Sequence, residues 1–398
     1  MIRYATLLAV SVVLLTAPHA DAWTEVQSIE GAADDQMGVG LDISGSTLMI
    51  GAPGADRVSV YNNSAGTWTF NTDLSPSPTT SPFGGDIDID GSTVAVAARS
   101  NGGGTATVFS EAGGTWGTQV TQKEGPNRFY GFSVHKSGDT LLVGSMREAP
   151  AGSAYIYEGP TWNLTATITN PSPSDNNFGR EVYLADATTA LIGSIRQPGG
   201  GANRGQVFEY TESGGTWSLN QTLTGPEDGA EFGSSIAGAG DLLVVGAKSE
   251  LNTNPGIAQV YERDGGGTWN LFQTLTPSVG PENLEFGQHV ATDGNTIVVG
   301  TFIGARGEPG KAYVFEKAGG SWVETQILAA SDGQDNDRFG SRVAVDGDWI
   351  AAGAGFWGAN TEGKVYLFEI PEPGTLSLLA VGSLALGVLT SQRRRNRR

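Results

Sequence analysis

The chain has 398 residues, of which 42 are acidic and 23 basic, and it contains no cysteine. Its length allows a large buried core, and the lack of cysteine excludes disulfide frameworks and thiolate metal sites. The net charge of -19 argues against nucleic-acid binding, which needs a basic surface. The 59 glycines, with 38% hydrophobic residues and no collagen period, predict a folded all-β protein with many tight turns.

Residues 1–22 have the pattern of a secretory signal peptide. Arg3 gives a basic start, an apolar run extends from Ala5 to Leu15, and the small residues Ala20 and Ala22 follow. A short apolar run before an A-x-A site is typical of a cleaved signal rather than of a membrane anchor. We therefore expect cleavage after Ala22 and export of the protein.

One unit of roughly 50 residues then recurs along the chain. Each copy opens with an aromatic-Gly pair or its equivalent, followed by a β-patterned strand and a second strand that usually ends near glycine. A third strand ends in an aromatic residue, and a fourth begins at tryptophan. Repeats of this length fit four-stranded propeller blades. The seven openings are Met37-Gly38, Phe83-Gly84, Tyr130-Gly131, Phe178-Gly179, Phe232-Gly233, Phe286-Gly287 and Phe339-Gly340.

The seventh unit lacks a fourth strand, because the repeat region ends at Ile370. The missing strand is found at the other end of this region, where residues 23–29 match residues 322–328 in their tryptophan and glutamine. An N-terminal strand that completes the last blade closes the ring and removes an open sheet edge. The sequence therefore predicts an all-β, seven-bladed β-propeller of four-stranded blades over residues 23–370.

The repeat pattern resembles the FG-GAP repeat family, which occurs in the propeller of integrin alpha subunits and in many bacterial surface proteins. The resemblance covers essentially all of residues 23–370. Met37 replaces the aromatic residue of the first unit, and Gly51-Ala52-Pro53 is the one complete Gly-Ala-Pro. The resemblance implies a scaffold of the binding type.

Calcium is the one cofactor that the resemblance raises, and no cofactor is predicted. Integrin-type propellers carry a calcium loop between the first and second strands, whereas here that connection is a short turn in all seven units. The segment Asp86 to Gly91 resembles the start of a calcium loop, but the alternation of a strand and an Asp90-Gly91 hairpin explain its spacing. Ala97 stands where an EF-hand needs a glutamate. The identity of any metal stays open.

Asp42, Asp88 and His135 occupy the same phase of the first strand in the first three units. If the first strand is innermost, their side chains approach the central channel. Carboxylates and imidazole could bind a cation or a polar ligand there. A hydrogen-bonded structural role is the favoured alternative, because the same phase holds Tyr183, Ala237, Ala291 and Ala344 in the other units.

A second candidate site lies on the rim that carries the loops after the second and fourth strands. Strand direction puts both sets of loops on one side of the ring, opposite the short glycine-rich hairpins. Variable loops on a rigid scaffold are the expected place for binding, although acidic loops can also be simply solvated. The acidic candidates on this rim are Asp228, Glu231, Asp332, Asp335 and Asp337.

No catalytic residue is predicted. After removal of the signal, the chain keeps His135 and His289, which lie three units apart and out of phase. The sequence contains no Gly-x-Ser-x-Gly elbow, zinc motif or phosphate loop.

The last 28 residues form a tail with three parts. Pro371, Glu372 and Pro373 precede an apolar stretch from Leu376 to Leu389, and five arginines follow. The stretch is short for a membrane span of about 20 residues, but snorkelling arginines allow a thin transmembrane helix. Positive charge stays cytoplasmic, which places the rest of the chain outside.

This tail resembles the PEP-CTERM sorting signal of Gram-negative-type bacteria. The resemblance implies recognition of Pro371, Glu372 and Pro373 by a membrane transpeptidase of the exosortase type. The protein would then be anchored transiently in the inner membrane and delivered to the cell surface or the extracellular matrix. A plain C-terminal anchor is the alternative.

These features predict a non-enzymatic, surface-sorted binding or adhesion protein whose ligand is a protein or an exopolysaccharide. Two alternatives stay open: a propeller enzyme that acts on polysaccharide, and a purely structural matrix component. We expect no nucleic-acid partner, and contact with the membrane through the C-terminal tail alone.

Overall fold

The computed structural model describes residues 22–78, 82–100, 103–125, 129–171, 177–195, 204–227, 229–249, 255–279, 285–301 and 309–370. The predicted signal peptide, apart from Ala22, and the predicted C-terminal sorting signal with its helix lie outside these residues. Trp23–Glu369 form one compact unit. Among the described residues, no helix has the length and apolar character needed to cross a membrane.

The strands form seven antiparallel sheets of four strands each, as the repeats predict. In each sheet the strand that follows the opening glycine is innermost, and the chain then moves outward strand by strand. Six blades are continuous in sequence. Their strands are β2 (Gly40–Ser44), β3 (Thr47–Ala52), β4 (Arg57–Ser64) and β5 (Thr67–Leu74); β6 (Phe83–Asp90), β7 (Thr93–Ala98), β8 (Thr105–Ala112) and β9 (Thr115–Glu124); β10 (Tyr130–Ser137), β11 (Thr140–Ser145), β12 (Ser153–Glu158) and β13 (Asn163–Thr169); β14 (Phe178–Asp186), β15 (Thr189–Ser194), β16 (Gln206–Ser213) and β17 (Thr216–Thr224); β18 (Phe232–Ala239), β19 (Leu242–Ala247), β20 (Ile257–Arg263) and β21 (Trp269–Leu275); and β22 (His289–Thr292), β23 (Thr296–Gly300), β24 (Ala312–Ala318) and β25 (Ser321–Leu328).

The seventh blade joins the two ends of the repeat region. It contains β26 (Arg342–Asp346), β27 (Trp349–Ala354), β28 (Lys364–Glu369) and, as its outer strand, β1 (Thr24–Glu30). β1 pairs antiparallel with β28, with Thr24 opposite Glu369 and Glu30 opposite Lys364. The predicted closure of the ring is confirmed.

Glutamine side chains reinforce the closure and three other contacts between blades. The side chain of Gln326 accepts from the backbone N of Trp23 (2.7 Å) and donates to its carbonyl O (2.6 Å). Each of these glutamines lies on the fourth strand of one blade and binds the tryptophan that begins the fourth strand of the next. The other pairs are Gln27 with Trp68, Gln221 with Trp269, and Gln273 with Trp322.

The hydrophobic core lies between neighbouring blades. The second strands are almost fully buried, because each is covered on both faces; Thr140–Ser145 is an example. The aromatic residues that open the units fill the contacts between blades, and Phe286 packs there with Val260 of one blade and Val299 of the next. The repeated aromatic residues thus have the structural role that their apolar area predicts.

Two glycines in six of the seven units allow neighbouring blades to approach closely, and Ala97 replaces the second of them in the second unit. The seven opening glycines have φ between 69° and 94°, a region that residues with a side chain rarely adopt. In six blades a Cβ added to the second-strand glycine would lie 1.9–2.4 Å from the carbonyl O of the next opening glycine. The FG-GAP-like pattern is therefore a packing requirement between successive blades.

Candidate functional site

The innermost strands of the blades surround a channel that contains two cavities. The deep cavity, toward the hairpins, has a volume of about 330 Å³ and includes Asp42, Asp88 and His135 in its wall. The mouth cavity, toward the loop rim, has a volume of about 300 Å³ and includes Arg99, Arg180 and Arg342 in its wall. Glu181 lines both cavities.

The three predicted channel residues do converge on the deep cavity. Nε2 of His135 lies 3.5 Å from Oδ1 of Asp88, and the ring of His135 packs edge-to-face on Tyr183 with centroids 4.5 Å apart. The equivalent positions of all seven blades line this cavity, including Ala237, Ala291 and Ala344.

Each of these polar side chains accepts a hydrogen bond from the backbone of the following blade. The amide N of Ile89 donates to Oδ2 of Asp42 (2.7 Å), that of Lys136 to Oδ2 of Asp88 (2.6 Å), and that of Leu184 to Nδ1 of His135 (3.3 Å). The inner edge of an innermost strand has no strand beside it, so its amide groups need other acceptors. These contacts give the residues a structural role, and ligand binding by them stays a prediction.

Burial controls the charge of the deep cavity. Burial raises the pKa of Asp88 to about 7 and, with the nearby charge of Asp88, raises that of Asp42 well above its usual value. Burial also lowers the pKa of His135 to about 4, so its imidazole is neutral at physiological pH. Among the residues that the structure describes, no group of three or more His, Asp or Glu side chains is arranged to hold a metal ion.

The mouth cavity is built from one position of each blade. This position directly follows the opening glycine, at the start of the innermost strand. Its seven residues are Val39, Gly85, Phe132, Arg180, Ser234, Gln288 and Ser341. Arg99 and Lys248 reach the same cavity from the ends of second strands, and Arg338 and Phe356 reach it from loops of the seventh blade.

Arginines and aromatic rings meet in this cavity. The guanidinium carbon atoms of Arg99 and Arg180 lie 5.1 and 5.4 Å from the ring centroid of Phe132, and that of Arg338 lies 3.9 Å from the ring of Phe356. Burial lowers the pKa of Arg99, and the positive charges of Arg342 and Arg180 lower it further. Positive charge is therefore concentrated at the mouth of a channel in a strongly acidic chain.

Two carboxylates lie below the arginines. Nη2 of Arg342 is 4.0 Å from Oδ1 of Asp86, whose Oδ2 accepts a hydrogen bond from the backbone N of Val134 (2.9 Å). Burial raises the pKa of Glu181 to about 8, and the charge of Asp86 contributes to this shift. The raised pKa makes the Glu181 carboxyl less able to offset the positive charge of Arg342 and Arg180, which act in the opposite direction and lower this pKa.

The acidic candidates of the rim lie in different environments. Glu231 is 3% exposed, with Oε2 3.3 Å from Nζ of Lys248. Asp332 accepts from Lys364 Nζ (2.6 Å) and from the Tyr366 hydroxyl (2.7 Å). Asp337 is 4% exposed, Asp335 is exposed, and Asp228 lies outside the described residues. Glu231 and Asp332 are therefore already engaged with nearby cations.

The sequence interpretation did not identify the arginines or Phe132. Aligning the seven units on the opening glycine and reading the next residue would have found Phe132, Arg180 and Gln288. The equivalent alignment on the second-strand glycine would have found Arg99 and Lys248. Apart from serine, which follows the opening glycine twice, no residue type recurs at either of these positions, so they are found by their place in the repeat and not by composition.

The FG-GAP repeat family model matches residues 269–315 and 322–368. These two segments match the FG-GAP repeat and together make up less than half of the chain. Integrin alpha-11 of Homo sapiens is 27% identical over 291 residues, which cover 65% of this chain and 22% of that protein. The chain therefore spans less than a quarter of the length of this relative. The matches confirm the resemblance to FG-GAP and integrin alpha propellers, whereas the C-terminal sorting signal stays a prediction.

Two solved structures share the propeller architecture. Hydrazine synthase of Kuenenia stuttgartiensis is 12% identical and has a TM-score of 0.58; the match covers 81% of this chain and 94% of that one. A protein from Lactobacillus plantarum is 12% identical with a TM-score of 0.53, and the match covers 82% of this chain and 88% of that one. Similarity at this identity shows the fold alone.

Proposed function

We propose that the protein is an exported, surface-sorted, non-enzymatic binding or adhesion protein that receives its ligand in the mouth cavity. The observation that carries this proposal is the cavity of about 300 Å³ at the loop end of the channel. Ligand sites are concave and combine apolar walls with a few convergent polar groups. Phe132, Phe356 and the arginines provide such a wall on a rigid ring.

The FG-GAP repeats and the similarity to an integrin alpha subunit support a propeller of the binding type. The partner is a protein or an exopolysaccharide. The sorting signal at Pro371, Glu372 and Pro373 would bring the propeller to the surface through a transpeptidase of the exosortase type. Intact-mass analysis of the secreted protein tests this part, with cleavage expected after Ala22 and near Pro373.

Ligand binding in the mouth cavity is tested with an array of glycans and proteins, with and without calcium. The variant Gly85→Trp fills the cavity, and a Cβ at Gly85 meets no atom within 4 Å, so the fold should tolerate it. Leu219→Trp, at an exposed position of an outer strand, is the matched control. Signals lost in the first variant and kept in the second support the proposal, and signals kept in both contradict it.

A polysaccharide-acting enzyme is the second candidate. The observation that favours it is the buried carboxyl of Glu181, which lines both cavities of the channel and whose pKa burial raises to about 8. A carboxyl with a pKa raised by burial can serve as a general acid. If Glu181→Gln abolishes release of sugar fragments while leaving binding intact, the enzyme is the correct function; if no fragments are released by the unaltered protein, it is not.

A further inference from the structure

We propose that the mouth cavity recognises a single carboxylate carried on a hydroxylated ring, as in a uronic acid residue of a polysaccharide. Arg99, Arg180 and Arg342 would hold the carboxylate. This inference rests on the proposed function, because it requires that the ligand enters the mouth cavity.

The cavity wall is suited to an anion, because Arg99, Arg180 and Arg342 line it against two nearby carboxyls, Glu181 in the wall and Asp86 at 4.0 Å from Arg342. Three guanidinium groups share its wall, and they are close enough for Arg342 and Arg180 to affect the ionisation of Arg99. Holding like charges together in a buried site costs free energy, and an oxyanion relieves that cost. The planar guanidinium group binds carboxylates through two parallel hydrogen bonds, which a lysine cannot provide.

The side chain of Gln288 indicates that the ligand carries a hydroxyl group. Its Oε1 atom is buried and has no hydrogen-bond partner among the described residues, although the side chain lines the mouth cavity. A buried acceptor without a donor is costly, and a carboxylate cannot supply one. A hydroxyl group beside the carboxylate supplies the missing donor.

The size of the cavity and its aromatic walls suit a ring. A volume of about 300 Å³ is at the small end of ligand pockets, which excludes a folded polypeptide segment. Phe132 and Phe356 add apolar surface to this wall, and the guanidinium groups of Arg99, Arg180 and Arg338 lie over their rings. A sugar ring with one carboxylate uses the aromatic surface, the arginines and the amide together.

The acidic residues around the mouth cavity favour a ligand with few negative charges. Glu231 and Glu285 lie 3.3 and 3.4 Å from Nζ of Lys248, a residue of the cavity wall, and Asp337 directly precedes Arg338. A polymer with a carboxylate on every unit would bring further negative charge close to Glu285, whose side chain is partly exposed, unlike the buried Glu231 and Asp337. A uronate with neutral neighbours avoids that repulsion.

The test is calorimetric titration of the full-length chain with galacturonate, its neutral methyl ester, galactose and inorganic phosphate. We expect galacturonate to bind about tenfold or more tightly than its methyl ester, because a charged hydrogen-bonded pair is lost. Arg99→Gln and Arg180→Gln should each weaken galacturonate binding by about tenfold. Arg147→Gln, on an exposed arginine outside the cavity, should leave it unchanged.

Two further probes separate the parts of the inference. Gln288→Ala should weaken galacturonate but not acetate, which has no hydroxyl. Trigalacturonate should bind no more tightly than galacturonate. Thermal unfolding of each variant confirms that it is folded, and Arg99→Lys, which keeps the charge but not the fork, provides a second variant at that position.

The inference is overturned if phosphate or the methyl ester binds as tightly as galacturonate, or if Arg99→Gln and Arg99→Lys both bind galacturonate normally. If the protein binds neutral ligands and Gly85→Trp abolishes that binding, the proposed function stands, but the requirement for a carboxylate is refuted. If Gly85→Trp leaves ligand binding unchanged, both the proposed function and the carboxylate inference are refuted.

Discussion

The two halves of the channel use polar residues in opposite ways. In the deep cavity, Asp42, Asp88 and His135 each accept a backbone hydrogen bond from the next blade. In the mouth cavity, arginines of separate blades face one another, and the buried Oε1 of Gln288 has no partner among the described residues. Polar groups that accept hydrogen bonds from a neighbouring blade hold the ring together. The arginines and the buried Gln288 acceptor of the mouth cavity are instead the basis of the ligand site that we propose.

The largest effect that would sharpen this contrast is loss of an acceptor in the deep cavity. Asp88→Ala leaves the buried amide of Lys136 without its acceptor and should lower the free energy of unfolding by about 2 kcal/mol. Asp88→Asn keeps an acceptor oxygen and should cost much less. Urea unfolding of both variants measures this, with the exposed Asp139→Ala as control. Equal stability of Asp88→Ala and Asp88→Asn would contradict a backbone role for Asp88.

The second effect concerns pH. Burial raises the pKa of Asp88 to about 7 and of Glu181 to about 8, so the folded state holds protons that the unfolded state has released. This stabilisation is full below the unfolded-state pKa values and is lost as the pH rises through the folded-state values. The free energy of unfolding should fall on the order of 2 kcal/mol between pH ~6.5 and ~8.5.

The two histidines do not obscure this window. Burial lowers the pKa of both His135 and His289, so both are neutral in the folded state, whereas in the unfolded state they lose their remaining protons as the pH rises from ~6.5. Their effect on stability is opposite in sign to that of the two carboxyls and smaller, because the carboxyls start from unfolded-state pKa values far below this window. Urea unfolding at the two pH values measures the effect. Glu181→Gln should remove most of it, and Glu124→Gln, at an exposed position, should not. Stability that is constant or rises over this range would show that the channel carboxyls are ionised in the folded state.

The arginines of the mouth should contribute little to stability. Arg99→Gln removes a contact with Phe132 but also relieves repulsion from Arg342 and Arg180, so the melting temperature should change by no more than about 1 °C. Differential scanning fluorimetry of this variant beside Arg147→Gln checks the prediction. A large loss of stability would assign Arg99 to the framework of the ring.

The smallest effect is the titration of one imidazole. His135 should remain neutral until the pH falls to about 4, because burial disfavours its charged form. NMR spectra of the ring nitrogens should show Nδ1 as an acceptor and Nε2 protonated, as the bond from Leu184 requires. A titration midpoint near 6.5 would mean that water reaches the deep cavity.

The repeat period made most of the fold predictable. The spacing of the opening glycines predicted the number of blades. The likeness of residues 23–29 to the fourth strands of the other units predicted how the ring closes, because the pattern of that strand recurs along the chain. The convergence of Asp42, Asp88 and His135 followed from the same phase. These predictions needed only the period and the direction of each strand.

The mouth cavity was not predicted, because it depends on differences between units. Phe132, Arg180 and Gln288 occupy the same position in three different blades. Their side chains differ in chemistry, so no motif in the sequence links them. The acidic rim was predicted as a candidate binding site because of its many carboxylates. In the structure, Glu231 and Asp332 are paired with lysines that lie 17 and 32 residues further along the chain. A count of charges cannot show which of them are already paired.

The pairing of β1 with β28 sets the order in which the ring is assembled. These two strands are separated by nearly the whole described chain, so their contact has the longest loop to close and forms slowly. Until it forms, Lys364–Glu369 is an open sheet edge, able to pair with another chain. A nascent molecule is thus most vulnerable to association with its neighbours in the interval after its last strand folds and before its first strand returns.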